Sequence, residues 1–155
     1  MTQRILIMGL PGAGKTYFAE KLKRQLETFF RPINENSLRP IADSKITVGW
    51  LNADEVRRHY NDWDFSREGR IRQSHRMREL ADTSNTDYCI VDFVAPLVEM
   101  RNNFRADWTI WIDTIDRGRF EDTNKAFVPP EHYDFRIKEQ AAEQWAESVG
   151  QHIVK

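Results

Sequence analysis

Gly-Leu-Pro-Gly-Ala-Gly-Lys-Thr, at positions 9–16, follows the apolar run Ile5–Met8 and precedes a helical pattern. This is a complete G-x-x-x-x-G-K-T phosphate-binding loop between a strand and a helix. Its three glycines let the backbone curl so that its N–H groups surround a polyphosphate, and the start of the helix adds a positive dipole end. The stretch therefore predicts a nucleoside-triphosphate site. The predicted ATP-binding residues are Gly9, Leu10, Pro11, Gly12, Ala13, Gly14, Lys15 and Thr16.

Two side chains of the loop and one distant aspartate predict a magnesium–ATP site. A lysine at position 15 reaches the β- and γ-phosphates, and a threonine at position 16 offers its hydroxyl to Mg²⁺. The run Tyr88–Asp92 is a short apolar strand that ends in an aspartate, as in a Walker B strand. We therefore predict Thr16 and Asp92 as magnesium ligands. The alternative is that a cluster of N–H groups compensates the buried Asp92 carboxylate.

The bulk composition leaves the class of partner open. The chain has 155 residues, 30% of them charged, and a formal net charge of −1, so overall charge favours neither nucleic acid nor an acidic surface. We expect one domain over residues 1–155. The lone Cys89 lies in an apolar run, and no apolar stretch is long enough to span a bilayer. We therefore expect a cytoplasmic protein without a membrane partner; a homodimer is left open.

Strands and helices alternate along the chain. Helical patterns separate the apolar runs, which predicts an α/β P-loop fold with a five-stranded, mainly parallel sheet and helices on both faces. The segment Arg31–Lys45 is long for a connection and is either a surface excursion or a functional loop. The predicted strands are Arg4–Met8, Thr47–Leu51, Tyr88–Asp92, Trp108–Ile112 and Phe135–Ile137, and the predicted helices are Lys15–Phe30, Glu68–Asp82, Pro96–Phe104 and Glu139–Val149.

Charged residues beyond the phosphate loop predict phosphoryl transfer to a hydroxyl. Asp54 follows the second strand, where a carboxylate can orient an acceptor hydroxyl or take its proton; the alternative is that it only caps a helix. Among the arginines between positions 57 and 78, we expect Arg57 and Arg70 to point inward. Arg117 and Arg119, in a lid predicted at about residues 115–130, either close over the phosphates or are exposed loop charges.

Four motifs together resemble the adenylylsulfate (APS) kinase family. Residues 9–16, Leu51–Arg57, Asn61–Arg70 and Phe93–Pro96 stand in the order of that family's GLPGSGKS, DGDNVR, N-x-D-L-G-F-S-x-x-x-R and FISP motifs. The resemblance covers roughly residues 3–114. It implies a P-loop kinase that transfers the γ-phosphate of MgATP to the 3′-hydroxyl of adenylylsulfate.

The resemblance also implies roles for individual residues. Asp54 would be the carboxylate at the acceptor hydroxyl, while Arg57 and Arg70 would contact the phosphosulfate and ribose of the substrate. Phe65 would stack on the substrate adenine, and Val94 would line the same pocket. The predicted acceptor-binding residues are Asp54, Arg57, Phe65, Arg70, Gln73 and Val94.

The chain departs from this family at several positions. Gln73 replaces an asparagine, Ala95 replaces the serine of FISP, and Asp92 is added to the strand. The lid lacks the family's lysine and second aromatic residue, so the sequence predicts only half of an adenine clamp.

Three hypotheses follow from this altered lid. The first is an APS kinase or a near relative. The second is a kinase whose acceptor is a nucleoside, a sugar or a nucleic-acid hydroxyl. The third is a regulatory module in which ATP only orders the lid. The expected partner is a small-molecule acceptor, with adenylylsulfate as one candidate. Nucleic acid is the less favoured alternative.

Overall fold

The computed structural model describes residues 1–31 and 45–154, so most of the segment 31–45 lies outside the described residues. The described residues form five strands and six helices. In chain order these are β1 (Gln3–Met8), α1 (Lys15–Leu26), β2 (Val48–Asn52), α2 (Ala53–Tyr60), α3 (Arg67–Asp82), β3 (Tyr88–Asp92), α4 (Val98–Phe104), β4 (Trp108–Ile112), α5 (Glu121–Ala126), β5 (Phe135–Ile137) and α6 (Ala142–Val154).

The strands form one sheet in the order β2-β3-β1-β4-β5, and each of its four pairings is parallel. This confirms the predicted α/β class. The chain turns to one side of the sheet after β1 and to the other side after β3, which places a crevice at the carboxyl ends of these two strands. In that crevice Asp92 lies opposite both Ile7 of β1 and Asn52 of β2.

Strand β1 shows how the sequence builds a core on each face of the sheet. Its side chains alternate, so Ile5 and Ile7 pack with α1 and α6 while Leu6 and Met8 pack with α3 and α4. These four side chains are at most 1% exposed. A central strand buried on both faces reads as a continuous apolar run, which is the pattern that precedes the phosphate loop.

All four predicted helices have different bounds in the structure, the second only by beginning at Arg67 instead of Glu68. Helix α1 ends at Leu26 and not at Phe30, because Phe30 pairs with Lys45 in an isolated antiparallel bridge. Helix α4 begins at Val98 and not at Pro96, because Ala95 adopts a left-handed backbone conformation with a φ of 48°. Helix α6 begins three residues later than predicted and extends to Val154.

The described residues contain no helix that is long and apolar enough to cross a membrane. Cys89 is fully buried in the core beside β1, as the apolar run around it predicts. His59 and His75 are exposed, and the described part of the chain holds no group of three potential metal-ligating side chains.

Candidate active site

A cavity of about 820 Å³ opens at the carboxyl ends of the parallel strands. Its walls come from the phosphate loop, the start of α2, the loop before α3, the segment after β3 and the predicted lid. The predicted site residues that line it are Pro11, Gly12, Gly14, Lys15, Thr16, Asp54, Arg57, Phe65, Arg70, Gln73, Asp92, Val94 and Arg119. A smaller cavity of about 550 Å³ lies at the opposite ends of the strands, beside Thr2, Thr47 and Thr86.

The phosphate loop owes its shape to glycines at two critical places. A Cβ atom on Gly9 would lie 2.5 Å from the Ile112 carbonyl oxygen, so only glycine lets the loop leave β1 so close to β4. Gly14 caps α1 in a left-handed conformation with a φ of 102°. Gly9, Leu10 and Ala13 do not line the cavity. Gly9 and Ala13 shape the loop instead.

The Lys15 ammonium lies inside the loop and donates a hydrogen bond of 3.1 Å to the carbonyl oxygen of Leu10. Burial lowers its pKa to about 8, although the nearby Asp92 and Asp54 carboxylates oppose this shift. The cation is therefore poorly solvated and held by a carbonyl oxygen. A bound polyphosphate would give Lys15 the anionic partner that favours its charged form.

Asp92 is the centre of a buried polar cluster. It is 2% exposed, and its Oδ2 accepts a 2.6 Å hydrogen bond from the indole Nε1 of Trp50. Its Oδ1 accepts bonds from the Asn52 amide at 2.9 Å and from the Thr16 hydroxyl at 3.4 Å. Burial raises the pKa of Asp92 to about 6, and these donors together with the Lys15 charge limit the rise.

The donor set around Asp92 fits a magnesium ion. Mg²⁺ prefers oxygen ligands and keeps several waters, so it needs few protein groups. The Thr16 hydroxyl and the Asp92 carboxylate are adjacent hard oxygen donors at the phosphate loop. The N–H donors that the sequence offered as the alternative to a metal are also present, from Trp50 and Asn52. The two interpretations are therefore compatible.

Asp54 is an exposed residue in the first turn of α2 and lines the cavity. The side chain that caps this helix is Asn52, whose Oδ1 accepts from the backbone N–H of Glu55 at 3.1 Å. The interpretation of Asp54 as the capping residue is therefore wrong. Its carboxylate lies near enough to raise the pKa of Lys15, which places it on the side of the cavity that faces the phosphate loop.

Arg57 is buried, as predicted, at 4% exposure. Its Nη1 donates to the carbonyl oxygens of Asp62 at 3.0 Å and Asp64 at 3.1 Å, and its guanidinium lies over the Phe65 ring, 4.3 Å from the centroid. Burial lowers its pKa, while Asp62 opposes that shift. Arg57 thus holds the loop that carries Phe65 into the cavity.

Arg70 and Gln73 reach the cavity from α3. Arg70 is 7% exposed; its Nε donates to the Phe65 carbonyl oxygen at 2.8 Å and its Nη2 to the Thr123 hydroxyl at 3.3 Å. The Gln73 amide donates to the Ala53 carbonyl oxygen at 3.2 Å and accepts from Arg76 at 3.1 Å. Both residues connect protein segments around the cavity as well as lining it.

The two predicted lid arginines lie in different environments. Arg119 lines the cavity and lowers the pKa of Lys15, so its charge lies close to the phosphate loop. Arg117 lies outside the cavity lining, is 70% exposed and pairs with Glu121. The expectation of a lid without a second aromatic residue needs correction, because Phe120 lines the same cavity as Phe65.

Several cavity residues were not predicted from the sequence. Trp63 precedes Phe65 by two positions and is 48% exposed. A tryptophan among polar residues inside the recognised motif Asn61–Arg70 is a usable sequence signal. Arg58 also reaches the cavity from α2. Trp50, which bonds Asp92 but does not line the cavity, carried no such signal, because an aromatic residue is ordinary in a strand. The other lining residues without a prediction are Tyr17, Asn52, Ala53, Phe93, Ala95, Pro96, Met100, Phe120, Asp122 and Thr123.

The sequence matches one protein-family model. That model is described as "Chromatin associated protein KTI12", and it matches residues 4–104. The matched region contains the phosphate loop, Asp54, Arg57, Phe65, Arg70 and Asp92, and it ends before the lid. No curated protein matches the chain.

Solved structures of kinases have the same fold. The chain is similar to APS kinase CysC from Mycobacterium tuberculosis in complex with AMPPNP and APS, with a TM-score of 0.74, 18% identity, and coverage of 99% of this chain and 98% of that one. It is also similar to shikimate kinase from Acinetobacter baumannii, with a TM-score of 0.59, 17% identity, and coverage of 99% and 94%. A gluconokinase from Sinorhizobium meliloti 1021 has a TM-score of 0.62, 10% identity, and coverage of 98% and 93%. At these identities the comparisons establish the fold.

Proposed function

The chain belongs to the KTI12 family, and we propose that it is an ATP-dependent kinase that transfers the γ-phosphate to a hydroxyl group. Adenylylsulfate is the acceptor to test first. The observation that carries the proposal is a single cavity that joins Lys15 and Thr16 to the carboxylate of Asp54 and to the Arg57–Phe65 wall. Each half of a phosphoryl transfer, donor and acceptor, has residues of suitable chemistry there.

In the proposed reaction the residues act mainly by positioning and by charge, as phosphoryl transfer requires. The phosphates of ATP lie on the loop of residues 12–16, where Lys15 neutralises the transferring group. Thr16 and Asp92 would hold Mg²⁺, which neutralises charge on the β- and γ-phosphates when bound. Asp54 orients the acceptor hydroxyl and accepts its proton as the new phosphate ester forms and ADP leaves.

The lid supplies the remaining charge. Arg119 enters the cavity near Lys15 and would contact the transferring phosphoryl group, while Phe120, which lines the same cavity, would contact the acceptor. Such closure excludes water, so hydrolysis of ATP without an acceptor should be slow. Phe65 and Phe120 offer flat apolar surfaces, and Arg57 and Arg70 add positive charge beside them. This combination favours an anionic acceptor with an aromatic ring.

The test is release of ADP from MgATP, measured with and without adenylylsulfate in a coupled assay. Strong stimulation by adenylylsulfate, lost in Lys15→Ala, supports the proposal with this acceptor. Stimulation by a nucleoside or a sugar, and not by adenylylsulfate, supports the kinase proposal but identifies a different acceptor. If ATP binds and no acceptor stimulates turnover, the regulatory module is favoured and the kinase proposal fails.

A nucleic-acid hydroxyl is the second candidate acceptor. One observation favours it: the exposed Arg58 and Trp63 line the cavity beside the buried Arg57, so charge and a stacking surface extend outward from the site. Phosphate contacts make such binding sensitive to salt. Fluorescence anisotropy with labelled single-stranded oligonucleotides at low and high salt tests it, and the absence of binding at low salt removes this candidate.

A further inference from the structure

Arg101, in the last turn of α4, is a cation whose hydrogen-bond partners are backbone carbonyl oxygens. Its Nε donates to Ala95 at 2.8 Å, and its Nη2 donates to Pro96 at 3.2 Å and also to Val128. Burial lowers its pKa to about 10. No carboxylate pairs with it among residues 1–31 and 45–154. A half-buried guanidinium without a counter-charge loses part of its hydration, so its carbonyl contacts need an explanation.

These carbonyl oxygens belong to two different walls of the cavity. Ala95 and Pro96 follow β3 and line the cavity directly. Ala95 is fully buried and has a φ of 48°, which an L-residue rarely adopts unless its surroundings hold it there. Arg101 supplies one such restraint, because its Nε bonds the Ala95 carbonyl oxygen.

Val128 belongs to the other wall, at the carboxyl end of the lid. Its backbone N–H donates to the Pro96 carbonyl oxygen at 2.8 Å, and the Arg101 guanidinium lies 5.5 Å from the centroid of the Phe127 ring. The short helix α5 lies between this end of the lid and Phe120. A displacement of Val128 would therefore move the lid residues that line the cavity.

We propose that Arg101 is a positioning residue that fastens the carboxyl end of the lid to the Ala95–Pro96 wall and so sets the geometry of the acceptor part of the cavity. The effect that we expect on the KM for the acceptor rests on the proposed function, whereas the effect that we expect on lid cleavage does not. The other end of the lid is fastened separately, since the Thr114 hydroxyl donates to the Ala13 carbonyl oxygen at 2.7 Å. Loss of Arg101 should therefore loosen one end of the lid and leave the phosphate loop in place.

Limited proteolysis tests the structural consequence without any acceptor. Trypsin can cut the lid after Arg117, Arg119 and Lys125, and mass spectrometry identifies the cuts. We expect Arg101→Met to speed these cuts about tenfold, equivalent to ~1.4 kcal/mol of lid opening. Arg101→Lys keeps a charged donor group, so its rate of lid cleavage should lie between the rates of Arg101→Met and the wild type.

Arg4 provides a matched control at the other end of α4. Its Nε also donates to carbonyl oxygens, those of Phe104 at 3.1 Å and Arg105 at 3.0 Å, and it lies away from the cavity. Arg4 also forms an ion pair with Asp82 at 2.8 Å, so Arg4→Met should lower the thermal midpoint at least as much as Arg101→Met but leave lid cleavage at the wild-type rate. Equal lid cleavage in both variants, or wild-type cleavage in Arg101→Met, would overturn the proposal.

Kinetics then test the consequence for binding. With whichever acceptor stimulates ADP release, Arg101→Met should raise the KM for that acceptor about tenfold and change the KM for ATP by less than about twofold. An equal rise in the KM for ATP and the KM for the acceptor would overturn the proposal that Arg101 sets the geometry of the acceptor part of the cavity. If the wild type shows no acceptor-dependent turnover, the proposed function fails while the proteolysis result still decides the role of Arg101.

Discussion

The indole N–H of Trp50 donates a 2.6 Å hydrogen bond to Oδ2 of Asp92, across the neighbouring strands β2 and β3. A carboxylate at 2% exposure must receive such bonds to stay ionised. Burial already raises the pKa of Asp92 to about 6, so the carboxylate is charged at pH 8 and largely protonated at pH 5. The contribution of the hydrogen bond between Trp50 and Asp92 to stability should therefore depend on pH.

Trp50→Phe should destabilise the protein more at pH 8 than at pH 5. The variant removes a donor to a charged acceptor, typically worth about 1.5–3 kcal/mol, and so raises the pKa of Asp92 further. At pH 5 the carboxyl is neutral in both proteins, so the loss is smaller. Urea unfolding at both pH values measures this, and in an Asp92→Asn background the pH dependence of the Trp50→Phe effect should disappear. A loss that is the same at both pH values would contradict the charge-assisted bond.

Asp54→Asn should lower kcat for acceptor phosphorylation by about 10²–10⁴-fold, because an amide cannot accept the hydroxyl proton. Affinity for MgATP should change little, since the proposed role of Asp54 concerns the acceptor hydroxyl. The matched control is Glu55→Gln, which removes an adjacent exposed carboxylate that does not line the cavity. Stopped-time product assays decide the matter, and full activity in Asp54→Asn would contradict the catalytic role of Asp54.

The thiol of Cys89 should be unreactive in the folded protein at pH 8. Burial raises its pKa from 9.0 to about 11, and the side chain has no exposed surface. Because the unfolded state loses this proton near pH 9 and the folded state only near 11, the thiol lowers the free energy of unfolding as pH rises above 9. A colorimetric thiol reagent should react in urea and not with the native protein. In Cys89→Ala the decline in stability between pH 8 and 10 should be smaller.

Ala95→Val should destabilise the protein by about 1–3 kcal/mol, because a β-branched side chain is strained at positive φ. Ala95→Gly relieves that strain and should leave the free energy of unfolding close to that of the wild type. Urea unfolding of both variants measures the difference. If valine is tolerated as well as glycine, the left-handed conformation at Ala95 does not constrain the cavity wall.

The sequence was sufficient to predict the sheet and the phosphate loop, because both rest on local signals. Each of the five predicted strands lies within two residues of its observed bounds, since apolar runs bounded by turn residues mark buried parallel strands. The inward orientation of Arg57 and Arg70 was also predicted correctly. The phosphate loop is recognisable because binding a polyphosphate requires lysine, threonine and glycines at fixed positions.

The errors fall where distant contacts decide the local structure. Pro96 favours a helix start, but Arg101 holds the preceding carbonyl oxygens in a turn and α4 begins two residues later. Helix α5 has six residues, too few for a periodic pattern, and so Phe120 was not recognised as a cavity residue. The hydrogen bond between Trp50 and Asp92 joins residues 42 positions apart, a pairing that no local pattern indicates.

The guanidinium of Arg57 covers one face of the Phe65 ring, 4.3 Å from its centroid. A second guanidinium, that of Arg70, lies 5.8 Å from the same centroid. In the proposed kinase, a planar acceptor group would have to stack on Phe65 from the side that Arg57 does not cover. That restriction would limit how the acceptor can turn its hydroxyl toward the phosphate loop.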